Sequence, residues 1–137
     1  MSPKRIKQRF DDFQNALKRL KEVLDEDPSL TSAIFDAAIQ RFEFTFELAW
    51  KLARDILLFN GVEANNPRTV VKELFKEGYI AEGEKWLSML EDRNRTTHIY
   101  DESEAKVIYQ KIKECYFDLL AALSKKFLPI VSELKEK

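Results

Sequence analysis

One cysteine and one histidine set the first limits on this chain of 137 residues. Cys115, being alone, excludes an internal disulfide. Its place between Ile112 and Leu119 at helical spacing reads as a buried thiol rather than a nucleophile. His98, also alone, excludes any multi-histidine metal site, so histidine chemistry here would have to use that residue. Only three glycines and four prolines are present, which leaves little to interrupt long helices. A charge excess is missing too: 23 basic against 24 acidic residues give a formal charge of −1. No global basic field therefore draws the chain to nucleic acid, and such a role would need a local site or a partner's charge. Long apolar runs are absent. The greasiest stretch, residues 34–59, carries Arg41, Glu43, Glu47, Lys51, Arg54 and Asp55, so it cannot span a bilayer. The opening MSPKRIKQRFDDF has basic residues but no apolar stretch, unlike a secretory signal. The expectation is a cytoplasmic protein with no membrane span, no metal and no cofactor.

What is there is helix. Hydrophobic residues make up 45% of the chain and charged residues 34%, enough to repay ordering and to keep helix surfaces wet. The length suits a single domain over 1–137. Ser2 and Pro3 announce a first helix, with Ile6, Phe10, Phe13, Leu17, Leu20 and Leu24 on one stripe before Pro28. Thr31 or Ser32 can cap a second helix running to Asn60, with Gly61 as its terminator. Phe35, Ile39, Phe42, Phe46, Ala49 and Ala53 form one face of it, while Phe44, Leu48, Trp50 and Leu52 load other faces. At 1.5 Å per residue it would be roughly 45 Å long, more than a compact domain of this size needs. Part of it is expected to pack on a second copy of the chain.

Asn66-Pro67 opens a short third helix, with Val70, Val71, Leu74 and Phe75 inward and Gly78 ending it. A fourth runs from about Glu82 through Trp86, Leu87, Leu90 and Arg93, and its periodicity fades at Thr96-Thr97. Asp101 with Glu104 makes a capping-box start for the fifth, striped by Ile108, Ile112, Cys115, Leu119 and Ala122. Pro129 bends or ends that helix, and Ile130, Val131 and Leu134 then suggest a short docked tail. The pattern reads as an all-α, up-and-down five-helix bundle with a four-helix-bundle-like core, dimeric.

Chemistry gathers in EDRNRTTHIYDE, which brings Arg93, Asn94, Arg95, His98 and Tyr100 to a junction between two helices. His and Tyr can move protons, and Arg binds phosphate oxygens. Arg93 and His98 are five apart, which on an ideal helix separates them by roughly 140° and 7.5 Å. They would converge only where the helix ends near Thr97 or where two chains bring their copies together. The plainer reading is that basic residues and a histidine near a helix C-terminus offset its dipole. Other candidates resolve into structure. Trp50, Trp86 and the ten phenylalanines sit at core spacing. Asp11-Asp12, Glu43 and Glu47 lack the Glu-x-x-His of a metal-carboxylate bundle. Glu43 with Glu47, and Arg54 with Asp55, read as solvated or interface charges.

Four blocks carry a resemblance to a known family: IQRFEFTFELAWKLARDIL, NPRTVVKELFKEGYI, the EKWLSMLEDRNRTTHIYDE run, and the closing helix with Tyr116. From Ile39 onward the chain resembles the nucleotidyltransferase substrate-binding family, a branch of the HEPN superfamily (higher eukaryotes and prokaryotes nucleotide-binding). The most specific element joins Trp86-Leu87 and Leu90-Glu91-Asp92 to an Arg-x4-His-x-Tyr pattern. The resemblance implies a five-helix bundle, a homodimer and a small MNT-type nucleotidyltransferase partner. Members with an intact motif resemble metal-independent ribonuclease toxins whose partner is the antitoxin. Carried over by position, Arg93 and His98 would be the catalytic pair and Asn94 the polar residue following the arginine. Tyr100 matches the tyrosine that the partner modifies with AMP in some family pairs.

Two functions stand side by side. One is a partner subunit of a small nucleotidyltransferase, presenting Tyr100 and the Arg93–His98 motif at a dimer interface. The other is an endoribonuclease toxin acting on RNA and silenced by AMP on Tyr100. The intact motif favours the second. The acidic flank of Glu91, Asp92, Asp101, Glu102 and Glu104, which repels RNA, favours the first.

Overall fold

The computed structural model describes residues 2–99 and 101–135, and all regular structure among them is helical. Helix α1 (Pro3–Leu24) starts where Ser2 accepts a hydrogen bond from the Arg5 amide. Helix α2 (Ala33–Phe59) has Ser32 at its N-cap without a side-chain cap bond, and in the turn before it the Thr31 hydroxyl accepts from the Ala33 amide at 3.2 Å. Helix α3 (Pro67–Lys76) begins with Asn66 accepting from Thr69. Helix α4 (Gly83–Arg95) ends in a 3₁₀ turn, Thr96–His98. Asp101 caps helix α5 (Glu102–Lys111), which continues through a π turn (Ile112–Tyr116) into helix α6 (Phe117–Ser132). Taken as one rod, 102–132 is the fifth member of the bundle, as the patterning predicts.

Gly61 and Gly78 close α2 and α3 at φ of +84° and +82°. That left-handed backbone lets Val62 and Tyr79 donate back to Leu57 and Leu74 across the helix ends. Helix α2 is the hub, packing on α1, α3, α4 and α5, while α1 also packs on α6. Its face supplies Phe42 and Phe46, both fully buried. Phe42 stacks on Tyr116, and Phe46 lies tilted against Trp86. These aromatic contacts tie α4 and the 102–132 rod to α2. No described helix is long and apolar enough to cross a membrane.

Four expectations are corrected. Phe75 is exposed rather than inward, because its ring lies over Gly83 at the α3–α4 corner. Ala122 faces solvent and Cys115 is only half-buried, since the π turn adds a residue and rotates the later stripe to Tyr116, Leu120, Leu123 and Phe127. Pro129 lies inside α6, so Ile130 and Val131 continue that helix instead of belonging to a separate docked tail. The proline sits one turn from the terminus, and its absent N–H deprives only the exposed Lys125 turn of a bond. Asp55 is not a solvated charge. It is fully buried on the α1-facing side of α2, held by Arg9 Nε at 2.6 Å and Arg54 Nε at 3.2 Å. A carboxylate removed from water must be paired in this way.

Candidate functional site

The junction between α4 and α5 is built from the backbone outward. Thr96 is buried, and its hydroxyl donates to the Arg93 carbonyl at 2.7 Å. That bond occupies a carbonyl in the last turn and helps the chain leave the α-helix for the tighter 3₁₀ turn. Ile99 is then extended, at φ −89° and ψ 117°, and Asp101 restarts the helix by accepting from the Glu104 amide at 2.8 Å.

This geometry splits the expected catalytic group. The half-buried Arg93 turns back toward α2, where its Nη2 donates to Glu47 and its guanidinium lies 6.0 Å from the centre of the Phe46 ring. Its Nη1 also donates to Asn94 Oδ1 at 3.2 Å, so the two adjacent motif residues do meet. His98 is exposed and lines a cleft of about 310 Å³ together with Arg95, Ser103, Glu104, Val107 and Lys111. Arg93 does not line that cleft. Tyr100 lies outside the described residues.

Two acidic residues that patterning left as background organise these cations. Glu47 accepts from the Trp50 indole at 3.0 Å, from Lys51 at 3.2 Å and from Arg93. Burial pushes its carboxyl upward, but the Trp50 and Lys51 hydrogen bonds and the Arg93 charge outweigh that. The net result is a pKa below the ordinary glutamate range. Asp92 is buried beneath the cleft. It receives the Tyr116 hydroxyl, Lys111 Nζ at 3.2 Å and Arg95 Nη1 at 3.5 Å. Burial, and then the Asp92 carboxylate, raise the Tyr116 pKa above the ordinary phenol value, so that hydroxyl stays a donor.

Sequence reasoning missed Glu47, Asp92, Lys111 and Tyr116 as site residues. A signal existed for Asp92, which falls three residues after the buried Met89 and so near an inward face. Glu47 sits three before Trp50 and four before Lys51, a spacing that keeps all three together on α2. Nothing local points from Glu47 to Arg93, which is 46 positions away.

Known proteins share this architecture. The family described as nucleotidyltransferase substrate binding protein like matches residues 8–128. A protein of Haemophilus influenzae (strain Rd) named probable ribonuclease HepT is 30% identical over 96 residues, 66% of this chain and 66% of that protein. A solved structure from Thermus thermophilus is 33% identical with a TM-score of 0.72, covering 87% of this chain and 98% of that one. A Haemophilus influenzae structure, described as revealing the fold of a substrate binding domain of a nucleotidyltransferase, is 23% identical. It superposes with a TM-score of 0.72 over 85% of this chain and 97% of its own, a likeness of fold.

Proposed function

Because the chain belongs to the nucleotidyltransferase substrate-binding protein-like family, we propose that it is the partner subunit of a small, MNT-type nucleotidyltransferase. In this reading residues 1–137 form one cytoplasmic domain that works as a homodimer. It presents Tyr100 and the Arg93–His98 segment to the enzyme at the α4–α5 junction. One observation carries the reading: the junction offers Asn94, Arg95 and His98 to solvent, whereas Arg93 is engaged by Glu47 within the chain. Such a segment suits recognition by another protein. Incubation with the cognate nucleotidyltransferase, ATP and magnesium should add one AMP mass to this chain, mapped by peptide analysis to Tyr100. Tyr100→Phe should abolish the addition and leave helicity unchanged. Transfer to another residue, or none with a demonstrably active enzyme, would remove this switch.

A second reading is supported by the cleft that places the His98 imidazole beside two cations, Arg95 and Lys111. The relative named as a probable ribonuclease adds to it. Here the chain is a metal-independent endoribonuclease of a toxin–antitoxin pair. His98 takes the proton of a ribose 2′-hydroxyl, and the 2′-oxygen bonds to phosphorus. The bond to the 5′-oxygen breaks, and that oxygen leaves with a proton from the second copy's histidine or from water. Arg93, steadied by Asn94, supports the charge on the pentacovalent phosphorus once the two copies bring their motifs together. AMP on Tyr100 would then block the seat of the RNA phosphate.

A further inference from the structure

The buried carboxylate of Asp92 has no part in either reading, yet three donor groups surround it. Its side chain is 4% exposed. It accepts from the Tyr116 hydroxyl, itself buried, and from Lys111 Nζ. On its other oxygen it pairs with Arg95. An interior carboxylate is costly unless its lone pairs are filled, and here Tyr116 and Lys111 fill one oxygen by hydrogen bonds. The two cations remain reachable from outside: the Arg95 side chain is 72% exposed and that of Lys111 45%. Both line the cleft that contains His98.

We infer that Arg95 of α4 and Lys111 of α5 form a phosphate seat beside His98, preorganised from below by Asp92, that grips a backbone phosphate of single-stranded RNA. The inference rests on the ribonuclease reading of this junction and adds the residues that would hold the substrate there. The placement of the charges, rather than their sum, supports an anion, since Asp92 and Glu104 together offset Arg95 and Lys111. Two cations face the cleft, and their shared counter-charge lies beneath it and out of contact with solvent. A ligand anion therefore meets the donors and not the carboxylate. Glu104 on the rim is the opposing group, and it limits the seat to one phosphate rather than a run of them. Lys111, hydrogen-bonded to the buried carboxylate, has lost part of its rotamer freedom before ligand arrives, which lowers the cost of binding, while Arg95 is drawn to the same carboxylate by charge at 3.5 Å. Strands without base pairing fit best, because the cleft, at about 310 Å³, is small and lies at a helix corner.

The test separates holding from cutting. A labelled single-stranded RNA oligonucleotide carrying 2′-O-methyl groups cannot be cut through its 2′-oxygen, so fluorescence anisotropy with the full chain reads binding alone. Lys111→Ala and Arg95→Ala should each weaken binding about tenfold in low salt and lower the salt slope by about one phosphate. Lys111→Arg should retain binding. Asp92→Asn should also weaken it. A seat acting through net charge alone would instead bind more tightly once a negative charge is removed. The proposal is overturned by lysine and arginine variants that bind within twofold of wild type, by tighter binding of the Asp92 variant, or by a wild-type chain that binds no oligonucleotide. Should Asp92→Asn fail to fold, as judged by circular dichroism, the two surface variants decide alone. A wild-type chain that binds the methylated strand but leaves unmodified RNA intact would sink the ribonuclease reading and leave the seat standing. A wild-type chain that cuts RNA while the two variants cut at the same rate would do the reverse.

Discussion

Lys111 and Tyr116, five residues apart on one rod, both bond to the same oxygen of Asp92. On a regular α-helix five residues span roughly 140°, which would aim these side chains to different sides. The π turn between them resolves the conflict. The Phe117 amide donates to the Ile112 carbonyl, five residues back, and the wider turn brings residues five apart toward one face. A single inserted residue thus links the surface cation to the buried phenol.

Tyr116→Phe should therefore destabilise the fold more than its one lost oxygen suggests. The ring stays, with its stacking on Phe42, but Asp92 loses a buried donor. A hydrogen bond to a charged group is worth about 1.5–3 kcal/mol, and urea denaturation should show a loss in that range. A change below about 0.5 kcal/mol would mean that water or Lys111 replaces the hydroxyl without cost.

How far the sequence carried depended on whether a signal was local. Caps and stops were legible because each is a short-range rule: Ser2 with Pro3, Asn66 with Pro67, Asp101 with Glu104, and Gly61 and Gly78 at positive φ. The central role of α2 was legible from its excess of bulky faces. The π turn was not, because its residues Ile112–Tyr116 would serve equally well in an α-helix. The registers of Cys115 and Ala122 were lost with it. Pairings across the bundle, such as Glu47 with Arg93 and Arg9 with Asp55, leave no trace in periodicity. The motif itself was visible by resemblance, but its division between an inward Arg93 and a solvent-facing His98 depends on the 3₁₀ turn at Thr96.

The Glu47–Arg93 pair should show itself in acid. The Glu47 carboxyl has a lowered pKa in the folded chain, so the folded state prefers it ionised. Its contribution to stability is full above the ordinary glutamate value and fades as pH falls through the lowered one. Between about pH 5 and about pH 3 the wild type should therefore lose stability that Glu47→Gln never had. The two melting curves should converge on acidification. Curves that stay parallel across that window would show that the pair adds nothing pH-dependent.

Assembly is a separate expectation. Helix α2 leaves Phe44, Leu58 and Phe59 exposed, and Leu48 is only half-buried. With these apolar groups uncovered, and with two motifs needing to meet, a symmetric dimer burying more than about 1,200 Å² in total is expected. Sedimentation at micromolar concentration should give about twice the chain mass. Phe44→Glu should shift the distribution toward monomer, because a charge at the centre of an apolar contact is not compensated. A monomeric wild type would count decisively against this assembly and against any mechanism that unites two histidines.

The ribonuclease reading makes the sharpest demand on Arg93. Purified chain should cut RNA in the presence of EDTA and leave 2′,3′-cyclic phosphate ends, because the 2′-oxygen is the nucleophile and no metal takes part. His98→Ala removes the only imidazole in the chain and should lower the rate at least about a hundredfold, the scale of a lost acid–base group. Arg93→Ala should do the same by removing the cation, while Arg93→Lys should recover little, since an ammonium cannot reproduce the planar fork. Glu47→Gln provides the internal control on position. The guanidinium keeps its charge but loses the carboxylate that aims it, so the rate should fall while binding of the 2′-O-methyl strand is preserved. If Glu47→Gln instead cuts faster than wild type, Glu47 restrains Arg93 rather than orienting it, and the pair is an inhibitory contact. Equal rates for wild type, His98→Ala and Arg93→Ala would identify a contaminating nuclease, and the partner-subunit reading would then stand alone.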